Sequence, residues 1–177
     1  MEVIDKPFGV AKVINLDNFG DDRGFFRETY NQKAHEMIGI QDKFLQDNQS
    51  RSKKNVVRGL HFTINRPQSQ LVTVLRGCVY DVIVDLRGES STFGQHYSTE
   101  LSEDGPHQIY VPHGFAHGFM VLSEYADTHY KVTKLYSAED EAGILWDDPA
   151  LGISWPQKEV EVSQTDQNHP TLEQYVG

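Results

Sequence analysis

The residues best suited to chemistry lie at the end of a densely polar segment, residues 46–61, where Arg58 and His61 stand in or beside an apolar stretch. Strict alternation along a strand would put their side chains on opposite faces of a sheet. Gly59 between them could host a bulge that turns both into one cavity. A structural histidine bonded to a backbone carbonyl, with a surface arginine, fits the same spacing equally well.

Two later residues could act together with His61. Tyr130 lies in Asp-Thr-His-Tyr-Lys, where a tyrosine on an inward strand face is more often a core aromatic than a catalyst. Asp166 lies in a polar segment, and such an aspartate is usually a turn or cap residue. Bonded to His61, however, it would fix the imidazole tautomer and stabilise the charged ring.

A histidine base facing a tyrosine acid suits one reaction class well. Removing a proton from the carbon next to a ketone gives an enolate, and returning a proton from the opposite face inverts that carbon. This chemistry needs a base with a pKa near neutrality, an opposed acid and a group that holds the enolate oxygen. It needs no cofactor. The sequence contains these parts but does not show their geometry.

The composition excludes several other classes of protein. A chain of 177 residues with one cysteine, Cys78, predicts a single domain over residues 1–177 without an internal disulfide. The formal net charge of −10 argues against a nucleic-acid partner. The absence of a long apolar run and of a secretory signal argues against a membrane and favours the cytoplasm. Four histidines in polar surroundings are expected at the surface: His35, His96, His107 and His169.

Most of the chain is predicted to form short strands, which indicates an all-β jelly-roll, a β-sandwich or barrel with short peripheral helices. We predict strands at residues 10–16, 46–51, 71–75, 79–86, 94–101, 108–111, 117–122, 127–135 and 143–146. Arg76 and Gly77 suit a tight reversal between two of them. Asn31 is expected to cap a helix through about Gly39, with Ala34, Met37 and Ile38 on its apolar face, and residues 171–175 to form one further turn.

The segment Pro-His-Gly-Phe-Ala-His at residues 112–117 resembles the second signature of the cupin barrel, in which His117 points inward. In metal-binding cupins this histidine joins two histidines and a glutamate from an earlier motif. Here the corresponding stretch offers His61, followed by Phe62 and Thr63. Because a stable transition-metal site normally needs three protein ligands, we expect no bound catalytic metal.

Nine motifs follow one another through the chain, at residues 22–28, 46–48, 52–61, 79–87, 91–94, 112–119, 122–124, 146–149 and 153–156. In this order and spacing they resemble the dTDP-4-dehydrorhamnose 3,5-epimerase family, from about Phe19 to Asp166. The resemblance implies a cupin homodimer that epimerises a nucleotide-linked, dTDP-type 4-keto-6-deoxyhexose at C3, C5 or both. It implies a place in rhamnose-type deoxysugar biosynthesis for cell-surface polysaccharide.

The resemblance also implies roles for single residues. His61 would be the base, Asp166 its partner and Tyr130 the opposing acid, without a cofactor or a metal. Arg58 and His117 would line the sugar site. Four residues match contacts to the nucleotide and diphosphate, some of which come from the neighbouring subunit in this family: Arg23, Glu28, Gln46 and Asn48.

Two positions depart from the family pattern. Gln70 stands where the family usually has a lysine that stabilises the enolate oxygen, and losing that charge should weaken stabilisation by about 1–2 kcal/mol. Thr165 stands where a basic residue often contacts the diphosphate. These changes leave a mono-epimerase open. A 3,4-ketoisomerase on a related nucleotide sugar, a non-catalytic sugar-binding cupin and a metal-dependent dioxygenase also stay open as hypotheses.

Overall fold

A computed structural model describes residues 1–176, which form fourteen strands and three short helices. The strands are β1 Glu2–Asp5, β2 Lys12–Asn15, β3 Asn18–Asp21, β4 Gly24–Arg27, β5 Gln46–Lys53, β6 Val56–Thr63, β7 Gln70–Arg76, β8 Cys78–Asp85, β9 His96–Ser102, β10 His107–Val111, β11 Phe115–Val121, β12 Tyr125–Val132, β13 Glu141–Gly143 and β14 Glu161–Val162. The helices are α1 Gln32–Met37, α2 Gln164–Gln167 and α3 Leu172–Val176. Within residues 1–176, no helix has the length and apolarity needed to cross a membrane.

Two large antiparallel sheets make up the body of the molecule. The first sheet has the order β1-β2-β10-β7-β12-β5, and the second has the order β13-β6-β11-β8-β9, with β14 parallel to β6. Apolar residues of both sheets meet in one buried cluster, which includes Val72 and Val74 of the first sheet and Ile83 and Phe119 of the second. This sandwich confirms the predicted all-β jelly-roll.

Each strand predicted from the sequence has a counterpart, displaced by a few residues at its ends. The reversal at Arg76 and Gly77 is present, but β7 and β8 do not pair with each other, because β7 belongs to the first sheet and β8 to the second. Gly77 has a φ of 76°, and a Cβ there would lie 2.1 Å from the carbonyl oxygen of Tyr125. The chain therefore changes sheets at Gly77 through a turn that has no room for a side chain.

The predicted helix is present, but its buried face is different. The side chain of Asn31 accepts a hydrogen bond from the N–H of Ala34 at 3.1 Å, which confirms the cap. Met37 is 81% exposed, whereas His35 is 1% exposed, so the place of Met37 on the apolar face and the surface position of His35 were wrong predictions. The physical reason is that α1 is too short to present a stripe, and the imidazole packs against Tyr30 while its Nδ1 lies 2.9 Å from the carbonyl oxygen of Asn31. Ile38, in contrast, packs against a buried apolar cluster as expected.

Strands β3 and β4 pair only with each other and join neither large sheet. This hairpin exposes three aromatic side chains, Phe19, Phe25 and Phe26, at 60–69% of their surface. Sequence reasoning did not predict these strands as elements. An isolated two-stranded hairpin is at best marginally stable in water, and clustered exposed aromatics indicate a surface that packs against something.

Candidate active site

Two adjoining cavities open between the large sheets. The larger, of about 650 Å³, is lined by His61 of the second sheet and by Gln46, Asn48, Gln70 and Tyr130 of the first. The smaller, of about 420 Å³, is lined by Arg58, His117, Gln70 and Tyr130. Because Gln70 and Tyr130 belong to both linings, the two cavities form one continuous site. The structure thus brings seven of the ten residues singled out from the sequence to one place, and Asp166 lies directly behind His61.

His61 and Asp166 form a hydrogen-bonded pair. Nε2 of His61 lies 2.9 Å from Oδ1 of Asp166, and Oδ2 of Asp166 accepts the N–H of Gly59 at 3.1 Å. The His61 side chain is 43% exposed toward the cavity, whereas the Asp166 side chain is 7% exposed. Burial alone would raise the pKa of Asp166, but its hydrogen bond with His61 and the charge of that ring hold the pKa below its ordinary value. Asp166 therefore remains a carboxylate that orients the imidazole.

Helix α2 delivers Asp166 to this position. The hydroxyl of Ser163 accepts the N–H of Asp166 at 3.0 Å, so Ser163 caps the helix and fixes the backbone that carries the carboxylate. The strand just before it, β14, lies parallel to β6 and places α2 beside the strand that carries His61. A short capped helix anchored to β6 thus explains how residues far apart in sequence come together.

The bulge proposed between Arg58 and His61 is present. His61 pairs with His117 and Arg58 pairs with Phe119, so three steps along β6 match two steps along β11. Gly59 has a φ of 130°, and a Cβ there would lie 2.6 Å from the Cα of Gly118. The bulge lets Arg58 and His61 line the same site, as the glycine between them suggested.

Tyr130 and Gln70 face His61 from the other sheet. Tyr130 lies on β12, and Gln70 begins the neighbouring strand β7. Burial raises the pKa of the Tyr130 hydroxyl, and the nearby charge of Arg58 opposes that rise. At neutral pH the hydroxyl is therefore protonated and able to donate a proton. The side-chain amide of Gln70 is a neutral hydrogen-bond donor beside it.

His117 is held by a buried carboxylate of its own. Its Nε2 lies 2.8 Å from Oδ2 of Asp81, and the two side chains are 9% and 0% exposed. The remaining oxygen of Asp81 has no hydrogen-bond partner within residues 1–176. Arg58 is fixed differently, because its Nε donates to the hydroxyl of Ser52 at 2.8 Å and its guanidinium remains exposed. These two groups can hold polar atoms of a ligand.

The outer part of the site is polar and contains cationic groups. The side-chain nitrogen of Gln46 donates to Asn48 at 2.7 Å, and the Gln46 oxygen accepts the N–H of Tyr136 at 2.9 Å. Lys134 and Arg66 also line the larger cavity, together with the carboxylates of Asp140, which forms an ion pair with Arg66, and Glu141. A strongly acidic chain thus carries a local group of donors that suits an anionic ligand.

Arg23 and Glu28 do not reach the cavity of their own chain. Arg23 lies at the tip of the β3–β4 hairpin, where its side chain is 89% exposed and bound to Asp21 at 2.5 Å. Glu28 follows the hairpin and accepts a hydrogen bond from Asn31 at 3.3 Å. Neither residue belongs to the lining of the two cavities.

Sequence reasoning missed two residues that touch the site. Asp81 supports His117, and the signal was a carboxylate in the middle of a β-branched strand. His169 packs its ring edge-on to His61 at 5.7 Å, with its Nε2 3.7 Å from Oδ1 of Asp166, and the expectation of a surface histidine was wrong. Its signal was the spacing from Asp166, because residues three apart lie on the same side of a helical turn.

The arrangement supports proton transfer on both faces of a bound molecule. The nitrogen of His61 that is turned away from Asp166 is free to accept a proton, since the carboxylate holds a proton on Nε2. Tyr130 can donate one from the opposite sheet. Gln70 and Arg58 add hydrogen-bond donors to the lining of the same site, which is what a developing enolate oxygen requires.

Comparisons with known proteins point to one family. A family model described as dTDP-4-dehydrorhamnose 3,5-epimerase matches residues 8–174. A protein of that name from Salmonella typhimurium is 51% identical over 177 residues, which are 98% of this chain and 97% of the relative. Similar proteins thus match this chain along nearly its whole length.

Solved structures agree with this result. A dTDP-4-dehydrorhamnose 3,5-epimerase from Bacillus anthracis str. Ames, with TDP and PPi bound, is 45% identical with a TM-score of 0.94 and covers 97% of this chain and 99% of its own. The dTDP-6-deoxy-D-glucose-3,5-epimerase of Legionella pneumophila Philadelphia 1, in complex with dTDP-4-keto-L-rhamnose, is 44% identical with a TM-score of 0.94 and covers 97% and 93% of the two chains.

Proposed function

The chain belongs to the dTDP-4-dehydrorhamnose 3,5-epimerase family, and we propose on that premise that His61 and Tyr130 invert C3 and C5 of a dTDP-linked 4-keto-6-deoxyhexose. Membership makes the chain an isomerase, a sugar-nucleotide epimerase of cupin-type fold in rhamnose biosynthesis. The observation that carries the residue assignment is the His61–Asp166 pair opening into a cavity whose opposite wall holds Tyr130.

Each inversion follows from the chemistry of these groups. The free nitrogen of His61 takes the proton from the carbon next to the ketone, and the electron pair moves to the ketone oxygen. Gln70 and Arg58 donate hydrogen bonds to that oxygen. Tyr130 then returns a proton to the opposite face of the carbon. Afterwards His61 carries an extra proton and Tyr130 lacks one, so exchange with solvent must reset both before the second carbon reacts.

The nucleotide end of the substrate is proposed to lie in the outer, polar part of the site. Gln46 and Asn48 lie there beside the cation of Lys134. Arg23 and Glu28 would complete the contacts from a second copy of the chain, as some nucleotide contacts do in this family. The exposed aromatic hairpin supports a homodimer, because Phe19, Phe25 and Phe26 need a surface to cover them.

We further propose that residues 1–177 act as one domain and work in the cytoplasm, on a route to cell-surface polysaccharide. The family match over residues 8–174 supports a single unit. The one cysteine, Cys78, is free, which is compatible with a reducing compartment. Neither a nucleic acid nor a membrane is proposed as a partner, since the local donors fit a small anionic ligand.

The test is proton exchange with dTDP-4-keto-6-deoxyglucose in deuterated water, followed by NMR of the sugar. We expect deuterium at both C3 and C5 with the wild-type chain and none above background with His61→Ala. A matched control is His107→Ala, which changes a histidine on β10 outside the cavity lining. Absence of exchange at either carbon in the wild type would overturn the proposal. Normal exchange in His61→Ala would overturn the assignment of the base.

A mono-epimerase is the second candidate, and Gln70 favours it. The side chain lines the same cavity as His61 and Tyr130, where it offers a hydrogen bond without a positive charge to the enolate oxygen. Weaker stabilisation would slow the carbon with the higher barrier more visibly than the other. Deuterium at only one of the two carbons after prolonged incubation would identify this activity.

A further inference from the structure

The proposed base belongs to a cluster of three side chains of the types that bind metal ions in proteins. Nε2 of His61, an oxygen of Asp166 and a nitrogen of His169 all lie within 4.8 Å of one another. His61 comes from β6, whereas Asp166 and His169 come from α2 and the bend that follows it. The cupin signature would instead combine His61 with His117. In this structure, however, Nε2 of His117 is hydrogen-bonded to Asp81.

The spacing of these atoms is close to that of a tetrahedral zinc site. Zinc–nitrogen and zinc–oxygen bonds of about 2.0–2.1 Å place neighbouring ligand atoms about 3.3 Å apart. Here the Nε2 of His61 lies 2.9 Å and the Nε2 of His169 lies 3.7 Å from the same oxygen, Oδ1 of Asp166. Shifts of a few tenths of an ångström suit these two contacts, and the two imidazole nitrogens, which lie within 4.8 Å of each other, must also approach for the three atoms to surround one ion.

His169 has a nitrogen that nothing else in the described chain uses. Its Nε2 is buried and has no hydrogen-bond partner within residues 1–176. The ring is held against the backbone of β13, since a Cβ at Gly143 would lie 2.4 Å from that Nε2. Leaving a buried polar atom without a partner costs free energy, so an atom in this state is available for a ligand.

We propose that His61, Asp166 and His169 bind a divalent transition-metal ion such as Zn²⁺, and that the bound ion inhibits the enzyme. Two imidazoles and one carboxylate suit Zn²⁺, and the fourth position is left to water. The ion takes the place of the proton that His61 shares with Asp166.

The inhibition follows from the tautomer of His61. In the active form Nε2 carries the proton bonded to Asp166, so Nδ1 has a free electron pair and acts as the base. When Nε2 binds an ion through its electron pair, the single proton of the neutral ring must reside on Nδ1. The ring then presents an N–H to the substrate, and it cannot accept a proton from carbon.

Binding is tested first, without reference to activity. Calorimetric titration with Zn²⁺, and the visible spectrum of added Co²⁺ as a reporter of tetrahedral coordination, are compared for wild type, His169→Ala and His107→Ala. We expect one site in wild type and His107→Ala. His169→Ala should bind at least about tenfold more weakly, since loss of even a supporting residue costs 10- to 100-fold. Equal affinity in all three proteins would overturn the site.

Inhibition is tested second, and this arm rests on the proposed function. Exchange at C3 and C5 is measured against Zn²⁺ concentration and expressed relative to the metal-free rate of each variant, so a change in basal rate does not matter. We expect the inhibitory concentration to rise at least about tenfold in His169→Ala and to stay unchanged in His107→Ala. A bound ion that leaves exchange intact overturns the inhibition alone. A wild type that binds the ion but shows no metal-free exchange contradicts the proposed function instead.

Discussion

Different interactions fix the tautomer of the proposed base, His61, and the protonation of the proposed acid, Tyr130. Asp166 holds the imidazole of His61 in one tautomer through a 2.9 Å hydrogen bond, which leaves one ring nitrogen free to act as a base. Within residues 1–176 the Tyr130 hydroxyl has no carboxylate partner of this kind, and burial raises its pKa. The first group therefore presents the electron pair of one ring nitrogen, and the second keeps its proton at neutral pH and can donate it.

We expect the rate of proton exchange to depend on whether the side chain at position 70 carries a positive charge. Replacement by lysine, Gln70→Lys, adds an ammonium group to the cavity that His61 and Tyr130 line, where the enolate oxygen is proposed to develop. A charged hydrogen bond exceeds a neutral one by about 1–2 kcal/mol, so exchange at the slower carbon should accelerate about 5- to 30-fold. The measurement is the initial rate of deuterium entry at C3 and at C5.

The matched control is Gln68→Lys, because Gln68 lies in the same cavity wall, two residues earlier. It adds the same charge to the larger cavity, but it does not line the smaller cavity, to which Gln70 also belongs. A similar acceleration in both variants would show a general effect of cavity charge. An unchanged rate in Gln70→Lys would show that the neutral amide already suffices for the enolate.

Part of this site could be predicted from residue types and part could not. The resemblance placed Asp166 beside His61, and a bulge at Gly59 was suggested by glycine between two polar residues. Asp81 and His169 were missed, because each acts only through a histidine on another element. A contact between strands that are distant in sequence has no local signature. Spacing along one chain segment therefore reveals single reactive residues better than the residues that support them.

The contact between β6 and β11 leaves no room for an added side chain at either of its two glycines. Gly59 and Gly118 lie back to back, since a Cβ on Gly118 would lie 2.6 Å from the carbonyl oxygen of Arg58. This close approach forms the bulge that turns Arg58 and His61 into one site, and it also places the N–H of Gly59 on Asp166 at 3.1 Å. The geometry of the base thus depends on two residues without side chains.

Gly59→Ala is expected to cost both stability and activity. The added Cβ meets backbone 2.6 Å away at a φ of 130°, so the strands must separate. We expect a loss of about 2–4 kcal/mol in the free energy of unfolding, measured by urea denaturation. Exchange should fall in the protein that remains folded, because the N–H that anchors Asp166 moves.

Gly88→Ala is the control, since nothing lies within 4 Å of a Cβ there and its φ is not positive. It should leave the free energy of unfolding within about 0.5 kcal/mol of wild type. If Gly59→Ala behaves like Gly88→Ala, β6 and β11 are not closely packed at the bulge.

The elements themselves were predictable where burial sets their pattern. β7 and β8 were found from their β-branched residues, because both strands contribute to the buried core. The β3–β4 hairpin was missed, since its aromatics are exposed and do not alternate against a core. The turn at Gly77 was found, yet its change of sheet was not, because the local sequence of a turn does not state which strands pair. Hydrophobic periodicity predicts which residues face the core of one chain. It does not predict which exposed residues pack against another molecule.

At the scale of the whole molecule, the β3–β4 hairpin leaves the proposed site incomplete within one chain. Its two strands pair only with each other, and Arg27 attaches its base to the body by donating to the carbonyl oxygen of Gly105 at 3.1 Å. Arg23 lies at its tip, and the three exposed phenylalanines lie along its two strands. In a dimer with two-fold symmetry the same hairpin is buried twice, and each copy can supply Arg23 to the other copy's diphosphate.

A mixed dimer tests this exchange directly. His61→Ala and Arg23→Glu are coexpressed with different affinity tags, and the heterodimer is isolated by purification on both tags in turn. If Arg23 serves the neighbouring site, the subunit with intact His61 receives an intact Arg23 from its partner. The other subunit carries both defects. The heterodimer should then show about half of the wild-type exchange rate, although each parent homodimer is impaired at both sites.

Recovery of activity distinguishes the two arrangements, because no recovery is expected if Arg23 acts within its own subunit. If Arg23 acted within its own subunit, one site of the heterodimer would lack the base. The other site would face the diphosphate with a negatively charged carboxylate in place of the Arg23 guanidinium, so the rate would stay at the level of the parents. Failure to isolate a doubly tagged species, together with a monomer in sedimentation velocity, would contradict the homodimer itself. Recovery to about half, in contrast, requires that a base on one chain and a cation on the other meet at one substrate.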